Sequence, residues 1–424
     1  MFLPLSGRRR ALIASACAAA WPTLGRAAGG PAVLTVAAFP LLDEIIKTAL
    51  PRWKQLRPGV ELRVLSRQYS DHHTAMTTAL STSTHLPDVM ALEVSFVGRF
   101  AHGTGLDDLR QGAYGIEQHR ARWVPAAVDQ ATNARGEIIA APTDIGPGTM
   151  LYRTDLLEKA GVAPEDLSRS WDSYIAAGKR IKARTGAYLV SHVQSVKDIV
   201  IRTGILPGQG LYYDRDSRAL VNSPRFVRAF EVAREMRKAK LDARVGVWSN
   251  EWAEGLKRGT LATELGGAWL VGQLNKWVAP TTKGLWRASQ FPENTFAGYG
   301  GAFYAIPRRS DPARKALAWD FIRLMTLDPA VQTLAFKEYD AFPSLLQVHE
   351  DPFFDEPLPF LGGQRARTLW RDAARRIAPL VVHKQSSFAD EVIGTELDNV
   401  IDRDKDIHQA LADAERLLQR RARR

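Results

Sequence analysis

Along the first third of the chain, segments with the apolar spacing of a β-strand alternate with segments that have the apolar spacing of a helix. Residues 33–39, 60–66 and 88–93 are rich in β-branched and apolar residues and predict three strands. Helical spacing fills the intervals, over 42–56 and 71–83, and a proline inside the first interval must kink or restart that helix. The resulting β-α-β-α-β order predicts a parallel sheet with right-handed crossovers.

Turns, caps and breakers follow one another closely in residues 136–174, which read GEIIAAPTDIGPGTMLYRTDLLEKAGVAPEDLSRSWDSY. EIIAAP predicts a short buried strand that stops at Pro142, and TMLYR predicts a second strand. Asp155 is a good N-cap for the helix that follows, and Gly161 is suited to end it in a left-handed conformation. Ser170 predicts the cap of the next helix.

The remaining chain is helical over 171–258 and then returns to strand-like segments. GTLATELGGAWLVGQL predicts a short strand over 261–265 and a glycine turn into a helix that carries Trp269. Asp311 or its neighbour Ser310 predicts the cap of a later helix. The last predicted helix, over 406–421, has one apolar stripe.

These motifs, in this order, resemble the extracellular solute-binding proteins of family 1, the maltose-binding-protein-like receptors of sugar ABC transporters. The resemblance rests on four segments, LPDVMALEVSFVGRFAHGTGLDDL, LYRTDLLEKAGV, GTLATELGGAW and GYGGAFYAIPRRSDP, which together span the mature chain. Two positions depart from the family pattern: Ser170 replaces the usual Thr of Pro-x-Thr-Trp, and Glu264 stands where Met is common.

The resemblance implies an α/β, two-lobed periplasmic binding protein fold of type II. Each lobe has a sheet flanked by helices, and crossover hinge segments join the lobes. The implied N-terminal lobe comprises 31–141 and 300–343, and the C-terminal lobe comprises 142–299 and 344–424. Such a protein captures a carbohydrate between the lobes by hinge closure. It then delivers the sugar, oligosaccharide or polyol to a membrane permease, as a monomer that needs no cofactor and catalyses no reaction.

The N-terminal residues predict export. Three consecutive arginines precede an apolar run over 11–24, and Gly25-Arg26-Ala27 offers the small residues that a signal peptidase requires. The run is shorter than the roughly 20 residues that span a bilayer, so we expect a signal peptide over 1–27 and a periplasmic protein. Both Sec and twin-arginine export fit this leader. Cys17 lies inside the leader, and the residues before it lack the large apolar side chain typical of a lipidation site.

The net charge of +11 is concentrated at the two ends of the chain. The predicted leader holds four arginines and residues 416–424 hold five, and neither segment holds an acid, so the body carries only +2. A nucleic-acid-binding protein is expected to concentrate its basic residues on a face of the folded part. We therefore expect no nucleic-acid partner.

Sugar recognition requires aromatic faces for the rings and polar groups for the hydroxyls. Loop and strand-end positions that the resemblance assigns to the cleft, together with this chemistry, select ten candidate ligand-binding residues: Phe39, Tyr69, Glu93, Ser95, Asp144, Trp248, Trp269, Tyr299, Gly301 and Tyr339. We expect Trp53, Trp171 and Trp319, which lie on amphipathic helices, to belong to the core.

Other classes of protein remain as alternatives. The sequence lacks a nucleophile elbow, a zinc-protease helix motif, a phosphate loop and a complete dinucleotide fingerprint, which disfavours an enzyme. Asp71-His72-His73 is the only suggestive metal cluster, and adjacent helical histidines point to different faces. A binding protein for a sugar phosphate, peptide or metal complex is the first alternative. A periplasmic glycoside hydrolase is the second, because the spacing of paired carboxylates is a tertiary property.

Overall fold

The computed structural model describes residues 32–133 and 135–422, so the predicted signal peptide and Cys17 lie outside the described residues. Its strands are β1 Ala32–Ala38, β2 Val60–Ser66, β3 Val89–Glu93, β4 Ala141–Arg153, β5 Thr263–Gly267, β6 Trp286–Ser289, β7 Gly298–Ala305 and β8 Phe342–Pro343.

Its α-helices are α1 Leu42–Thr48, α2 Leu50–Leu56, α3 Tyr69–Thr82, α4 Val94–His102, α5 Pro125–Gln130, α6 Thr154–Ala160, α7 Glu165–Ser168, α8 Trp171–Thr185, α9 Val193–Arg202, α10 Pro224–Lys238, α11 Asn250–Arg258, α12 Leu270–Gln273, α13 Pro312–Leu327, α14 Pro329–Tyr339, α15 Ala366–Arg376, α16 Ser386–Arg403 and α17 Ile407–Ala422. A π-helix over Leu274–Val278 continues α12. Within 32–133 and 135–422, no helix is both long enough and apolar enough to cross a membrane.

The N-terminal strands form the parallel sheet that the sequence predicts. β1 lies between β2 and β3 and is parallel to both, with Ala32 opposite Val60 and Val36 opposite Val89. The helix predicted over 42–56 restarts as α1 and α2 at its proline. β7 then adds to β3 in the antiparallel sense, so the sheet runs β2-β1-β3-β7-β4-β5.

β4 crosses from one half of the molecule to the other. The sequence predicts two strands separated at Pro142, and this is wrong, because Pro142 lies at the second residue of one 13-residue strand. The first half of β4 pairs with β7 and β8, and the second half pairs with β5 and β6. Register irregularities between Pro142 and Asp144 and between Ile145 and Pro147 interrupt the ladder, which lets the strand accommodate its prolines.

Three apolar clusters hold these elements together. The largest runs from β1 through α13 and α14 to α11, α12 and α15, and it contains Trp53 and Trp319. A second, the C-terminal cluster, packs α8, α9 and α10 against α16 and α17 and contains Trp171. A third, the first-sheet cluster, packs α4 against β3 and β7. The three tryptophans predicted for the core are therefore buried, as expected.

Most of the predicted helix ends are confirmed. Ser170 and Ser173 form a reciprocal capping box at the start of α8, and Gly161 ends α6 with a φ of 64°. The predicted cap at Asp155 is wrong, because α6 begins at Thr154 and its N-cap residue is Arg153. The Asp155 carboxylate instead accepts a 2.8 Å hydrogen bond from the buried Arg153 guanidinium.

Candidate functional site

Aromatic and carboxylate side chains meet where β1 and β3 end. The Phe39 ring follows β1 and lies 5.6 Å from the Tyr69 ring, centroid to centroid. The Tyr69 hydroxyl donates a 2.7 Å hydrogen bond to the Glu93 carboxylate. Glu93 also caps α4, where its carboxylate accepts a 2.8 Å hydrogen bond from the Ser95 backbone N–H. Four of the predicted residues thus form one continuous surface, which together with Asp144 we call the carboxylate wall.

His73 fixes the position of this wall, a role that sequence pattern alone does not predict. Its Nδ1 donates to the Tyr69 carbonyl at 2.8 Å, and its Nε2 accepts the Glu93 backbone N–H at 3.1 Å. The imidazole stacks on the Phe96 ring with 3.9 Å between centroids. His73 therefore connects the start of α3 to the end of β3 and must be neutral to do so.

The histidine pair does not assemble the metal cluster considered for Asp71-His72-His73. The His72 Nε2 donates to the Ala91 carbonyl at 2.8 Å inside the protein. In the part of the chain that the structure describes, no three His, Cys, Asp or Glu side chains are grouped for a metal ion. Both histidines therefore act in packing and positioning.

Asp144 brings a second carboxylate to the wall from β4. Its Oδ1 is buried and has no hydrogen-bond partner in the described structure. Burial, and to a lesser extent the charge of Glu93, raises the pKa of Asp144 to about 7. Burial also raises the pKa of Glu93, although hydrogen bonds from Ser95 and Tyr69 and the charge of Arg202 oppose the rise. The wall thus combines a Glu93 carboxylate that accepts hydrogen bonds from Tyr69 and Ser95 with an Asp144 carboxyl group of which one oxygen has no protein partner.

Gly301 shapes the backbone beside Asp144. It lies opposite Ile145 in the β4–β7 ladder with a φ of 129°, a conformation that side chains other than hydrogen strongly disfavour. A Cβ at Gly301 would lie 3.2 Å from the Asp144 carbonyl oxygen. Close approach of two strands therefore explains this glycine.

Four aromatic rings form an extended surface across the second half of the molecule. Tyr299, Trp269, Trp248 and Trp277 follow one another with centroid separations of 6.5, 5.9 and 6.2 Å and interplanar angles of 30°, 20° and 21°. The Trp269 indole N–H donates to the Tyr299 carbonyl at 3.0 Å, which orients the ring. We call this row of four rings the aromatic platform.

The outer half of the platform is open to solvent. Trp248 is 50% exposed and Trp277 is 61% exposed, whereas most large aromatic side chains of the described structure are buried. Sequence reasoning did not select Trp277, which lies on the π-helix Leu274–Val278, a distortion that often marks functional positions. Trp248 has a φ of 73°, which is strained for a bulky residue. The structure thus holds two large apolar rings at the surface, one of them on a strained backbone.

Buried residues behind Trp248 hold it in place. The Trp252 ring lies 5.0 Å from the Trp248 ring, and its indole N–H donates to Glu264 at 3.0 Å. Burial raises the pKa of Glu264 to about 7. Glu264, the residue that departs from the family pattern, therefore supports the platform through Trp252.

Arg202 connects the platform to the carboxylate wall and was also missed from the sequence. It is the last residue of α9, and its guanidinium lies 5.1 Å from the centroid of the Tyr299 ring. The same charge lowers the pKa of Glu93, so the guanidinium lies within electrostatic reach of the wall. Arg202 therefore lies between the Tyr299 end of the platform and the carboxylate wall.

Tyr339 lies at the opposite end of the platform. Its hydroxyl is 3.0 Å from the Thr48 hydroxyl of α1, and the Lys276 ammonium lies 4.5 Å from the centroid of its ring. Lys276 directly precedes Trp277 in the π-helix. Tyr339 thus lies beside the π-helix at the Trp277 end of the platform, without a contact to the platform rings themselves.

A mixed α/β fold in which the long strand β4 passes from one sheet into a second is that of the type II class of periplasmic binding proteins. Solved structures share this fold. A crystal structure described as extracellular solute-binding protein family 1 has a TM-score of 0.79 at 23% identity and covers 92% of this chain and 100% of its own. Maltose-bound MalE3 of T. maritima has a TM-score of 0.75 at 19% identity and covers 92% of this chain and 99% of its own.

The family model described as bacterial extracellular solute-binding protein matches residues 53–358, and the chain belongs to this family. The lactose-binding protein of Rhizobium radiobacter is 26% identical over 369 residues, which cover 82% of each chain. The arabinooligosaccharide-binding protein of Bacillus subtilis strain 168 is 23% identical over 280 residues, which cover 64% of each chain. These relatives are binding proteins.

Proposed function

We propose that this protein is the carbohydrate-binding component of an ABC importer and holds its ligand between the carboxylate wall and the aromatic platform. The platform is the observation that carries the proposal. Apolar ring faces stack on the C–H faces of sugars, and the unpartnered carboxyl oxygen of Asp144 suits a hydroxyl donor. The names of the relatives, which include lactose- and arabinooligosaccharide-binding proteins, support the same ligand class.

The length of the platform favours an oligosaccharide over a monosaccharide. Three successive centroid separations of about 6 Å place Trp277 well beyond the reach of one sugar ring held at Tyr299. A ligand confined to the inner half would leave the two exposed tryptophans without a role. The ten ligand-binding residues that the sequence predicts, extended by Arg202 and Trp277, form the site in this proposal.

Closure of the two halves on the ligand completes the proposal. Glu93 belongs to the predicted N-terminal lobe of 31–141 and 300–343, whereas Asp144 and all four rings of the platform belong to the predicted C-terminal lobe, within 142–299. A ligand that contacts both lobes stabilises the closed arrangement by its differential affinity for that state. The closed, loaded protein then docks on permease subunits in the inner membrane after export through its signal peptide. No catalytic step is required, in keeping with relatives that bind sugars.

Titration calorimetry against a panel of sugars tests the proposal. The panel contains lactose, maltose, β-1,6-galactobiose and arabinooligosaccharides, with galactose, glucose and arabinose for comparison. We expect saturable binding of at least one oligosaccharide and weaker binding of its monosaccharide. Trp248→Ala and Trp277→Ala should each weaken the Kd by about fivefold to thirtyfold, because stacking on a buried ligand face contributes roughly 1–2 kcal/mol.

Leu417→Ala is the matched control, because this leucine is also an exposed apolar residue but lies on α17 outside the platform. It should leave the Kd unchanged. Small-angle scattering with saturating ligand should show a smaller radius of gyration. An unchanged Kd in both tryptophan variants would refute the role of the platform in binding. Turnover of a glycoside in the same samples would favour the hydrolase alternative.

A further inference from the structure

A second cavity lies outside the cleft, where α4 of the first-sheet cluster meets the segment that leads into α16. The two parts touch closely, since a Cβ at Gly98 would lie only 2.7 Å from the His383 carbonyl oxygen. The rings of His102 and His383 also meet across the boundary, with 5.6 Å between centroids. The boundary joins parts of the chain that the predicted division assigns to different lobes.

The cavity at this boundary has a volume of about 390 Å³, which is the size of a small-molecule site. We call it the seam cavity. It is lined by Arg99, Lys384, Gln385, Ser387, Phe388, Glu391 and Arg421. Arg99 comes from α4, whereas the other residues come from α16, α17 and the segment before α16.

Positive charge exceeds negative charge around the seam cavity. Three of its side chains are cations and one, Glu391, is a carboxylate. Among residues 32–133 and 135–422, no carboxylate lies within ion-pair distance of Arg99, Lys384 or Arg421. Many other arginines of the described structure, such as Arg67, Arg215 and Arg308, also lack such a partner, so what distinguishes this cluster is that three cations line one cavity.

Burial and the positive charge around the seam cavity lower the pKa values of two neighbouring histidines, His102 and His383. Burial lowers the pKa of His102, and the charges of Lys384 and Arg135 lower it further. Burial, His102 and Lys384 lower the pKa of His383 to about 4. His383 is only 4% exposed, and its Nε2 has no hydrogen-bond partner in the described structure.

Some of the cavity's groups are already held in place. The Arg421 Nε donates to the Gln385 side-chain oxygen at 3.2 Å, and its guanidinium lies 4.2 Å from the centroid of the Phe388 ring. Ser387 adds a hydroxyl donor to the lining. Arginines bind oxyanions through paired N–H donors, and a lysine adds a compact charge.

We propose that the seam cavity binds an oxyanion of the phosphate class, which joins Arg99 on one side to Lys384 and Arg421 on the other. The anion removes the repulsion among the three cations when the two parts come together. It therefore stabilises the closed arrangement independently of the solute in the cleft. By reciprocity, an anion that favours closure also raises the affinity of a solute that requires closure.

Titration calorimetry of the full-length protein with inorganic phosphate, at constant ionic strength set by sodium chloride, tests the proposal. We expect one saturable site in the millimolar range or tighter and a matching rise in Tm. Arg99→Gln and Lys384→Gln should each weaken the phosphate Kd about tenfold, because each removes a charge-assisted contact. Both side chains lie at the surface, so neither variant should impair folding.

Lys54→Gln on α2 and Lys238→Gln on α10 are matched controls, since both lysines are exposed and lie outside the cavity. They should retain the wild-type phosphate Kd. No saturable binding up to about 20 mM phosphate would overturn the proposal. Equal weakening in the control variants would overturn it as well, because it would show non-specific charge. Loss in Lys384→Gln with an unchanged Kd in Arg99→Gln would overturn the bridging of the two sides.

Discussion

Protonation of His73 should destabilise the protein as the pH falls below about 6.5. His73 is buried and uses its neutral ring to donate to Tyr69 and to accept from Glu93. Burial, opposed by the Tyr69 carbonyl and reinforced by the charge of His72, lowers its pKa to about 4 from the usual 6.5. Between these values the unfolded chain binds a proton that the folded chain does not, so stability is lost as the pH falls.

The size of the effect follows from the two pKa values. The difference between 6.5 and about 4 corresponds to about 3 kcal/mol, and residual solvent screening reduces this to about 2–3 kcal/mol. A typical domain has only about 5–15 kcal/mol of stability in total. Protonation of His73 should therefore remove a measurable part of the free energy of unfolding by pH 4.

Urea unfolding followed by tryptophan fluorescence, at a series of pH values from 7 to 4, measures the effect. His73→Gln replaces the imidazole with an amide that has no charge in this range, at a cost of about 1 kcal/mol at pH 7. The fall in unfolding free energy between pH 6.5 and 4 should be smaller in this variant by about 2–3 kcal/mol. His85→Gln is the control, because His85 is exposed, and it should keep the wild-type pH dependence. An unchanged pH dependence in His73→Gln would refute the assigned role.

Two further substitutions test the crossing strand. Gly146→Ala should lower the unfolding free energy by about 3 kcal/mol or more, because its Cβ would lie 1.9 Å from the Tyr299 carbonyl oxygen. Gly59→Ala is the control, because a Cβ at Gly59 would have no atom within 4 Å. Equal thermal stability of the two variants would contradict the prediction. Asp144→Asn should raise the unfolding free energy at pH 8 by about 1–3 kcal/mol, because burial raises the pKa of Asp144 to about 7 and the folded state is penalised once the unfolded carboxyl ionises. That gain should vanish in urea titrations at pH 4, and a gain that is independent of pH would show a different cause.

Local signals in the sequence were sufficient for much of the fold. The alternation in β1, β2 and β3 and the caps at Ser170 and Gly161 depend on neighbouring residues, and the structure confirms them. The continuity of β4, in contrast, depends on strands that are distant in the sequence. A proline such as Pro142 predicts the end of a strand, but the irregular pairing of β4 with β7 and β8 accommodates it.

The residues of the candidate site likewise fall into those that local sequence signals predict and those that only the fold brings together. Phe39, Tyr69, Glu93 and Ser95 could be selected because parallel strands end together at one edge. Trp277 and Arg202 could not be selected, because both lie on helical segments whose pattern is that of an ordinary amphipathic surface. Only the π-helix turns Trp277 into line with Trp248, and only the fold brings Arg202 over the Tyr299 ring.

The interrupted ladder of β4 has a mechanical consequence. Hydrogen-bonded pairing resists bending, so the irregular stretch between Pro142 and Pro147 is where this strand flexes at the lowest cost. Asp144 lies within that stretch, and Thr149 beyond it pairs with Gly266, two residues after Glu264. If the protein acts in an importer as proposed, a small rotation at this stretch would tilt its distant outer surfaces against each other, and a permease would sense occupancy from shape alone, without touching the captured molecule.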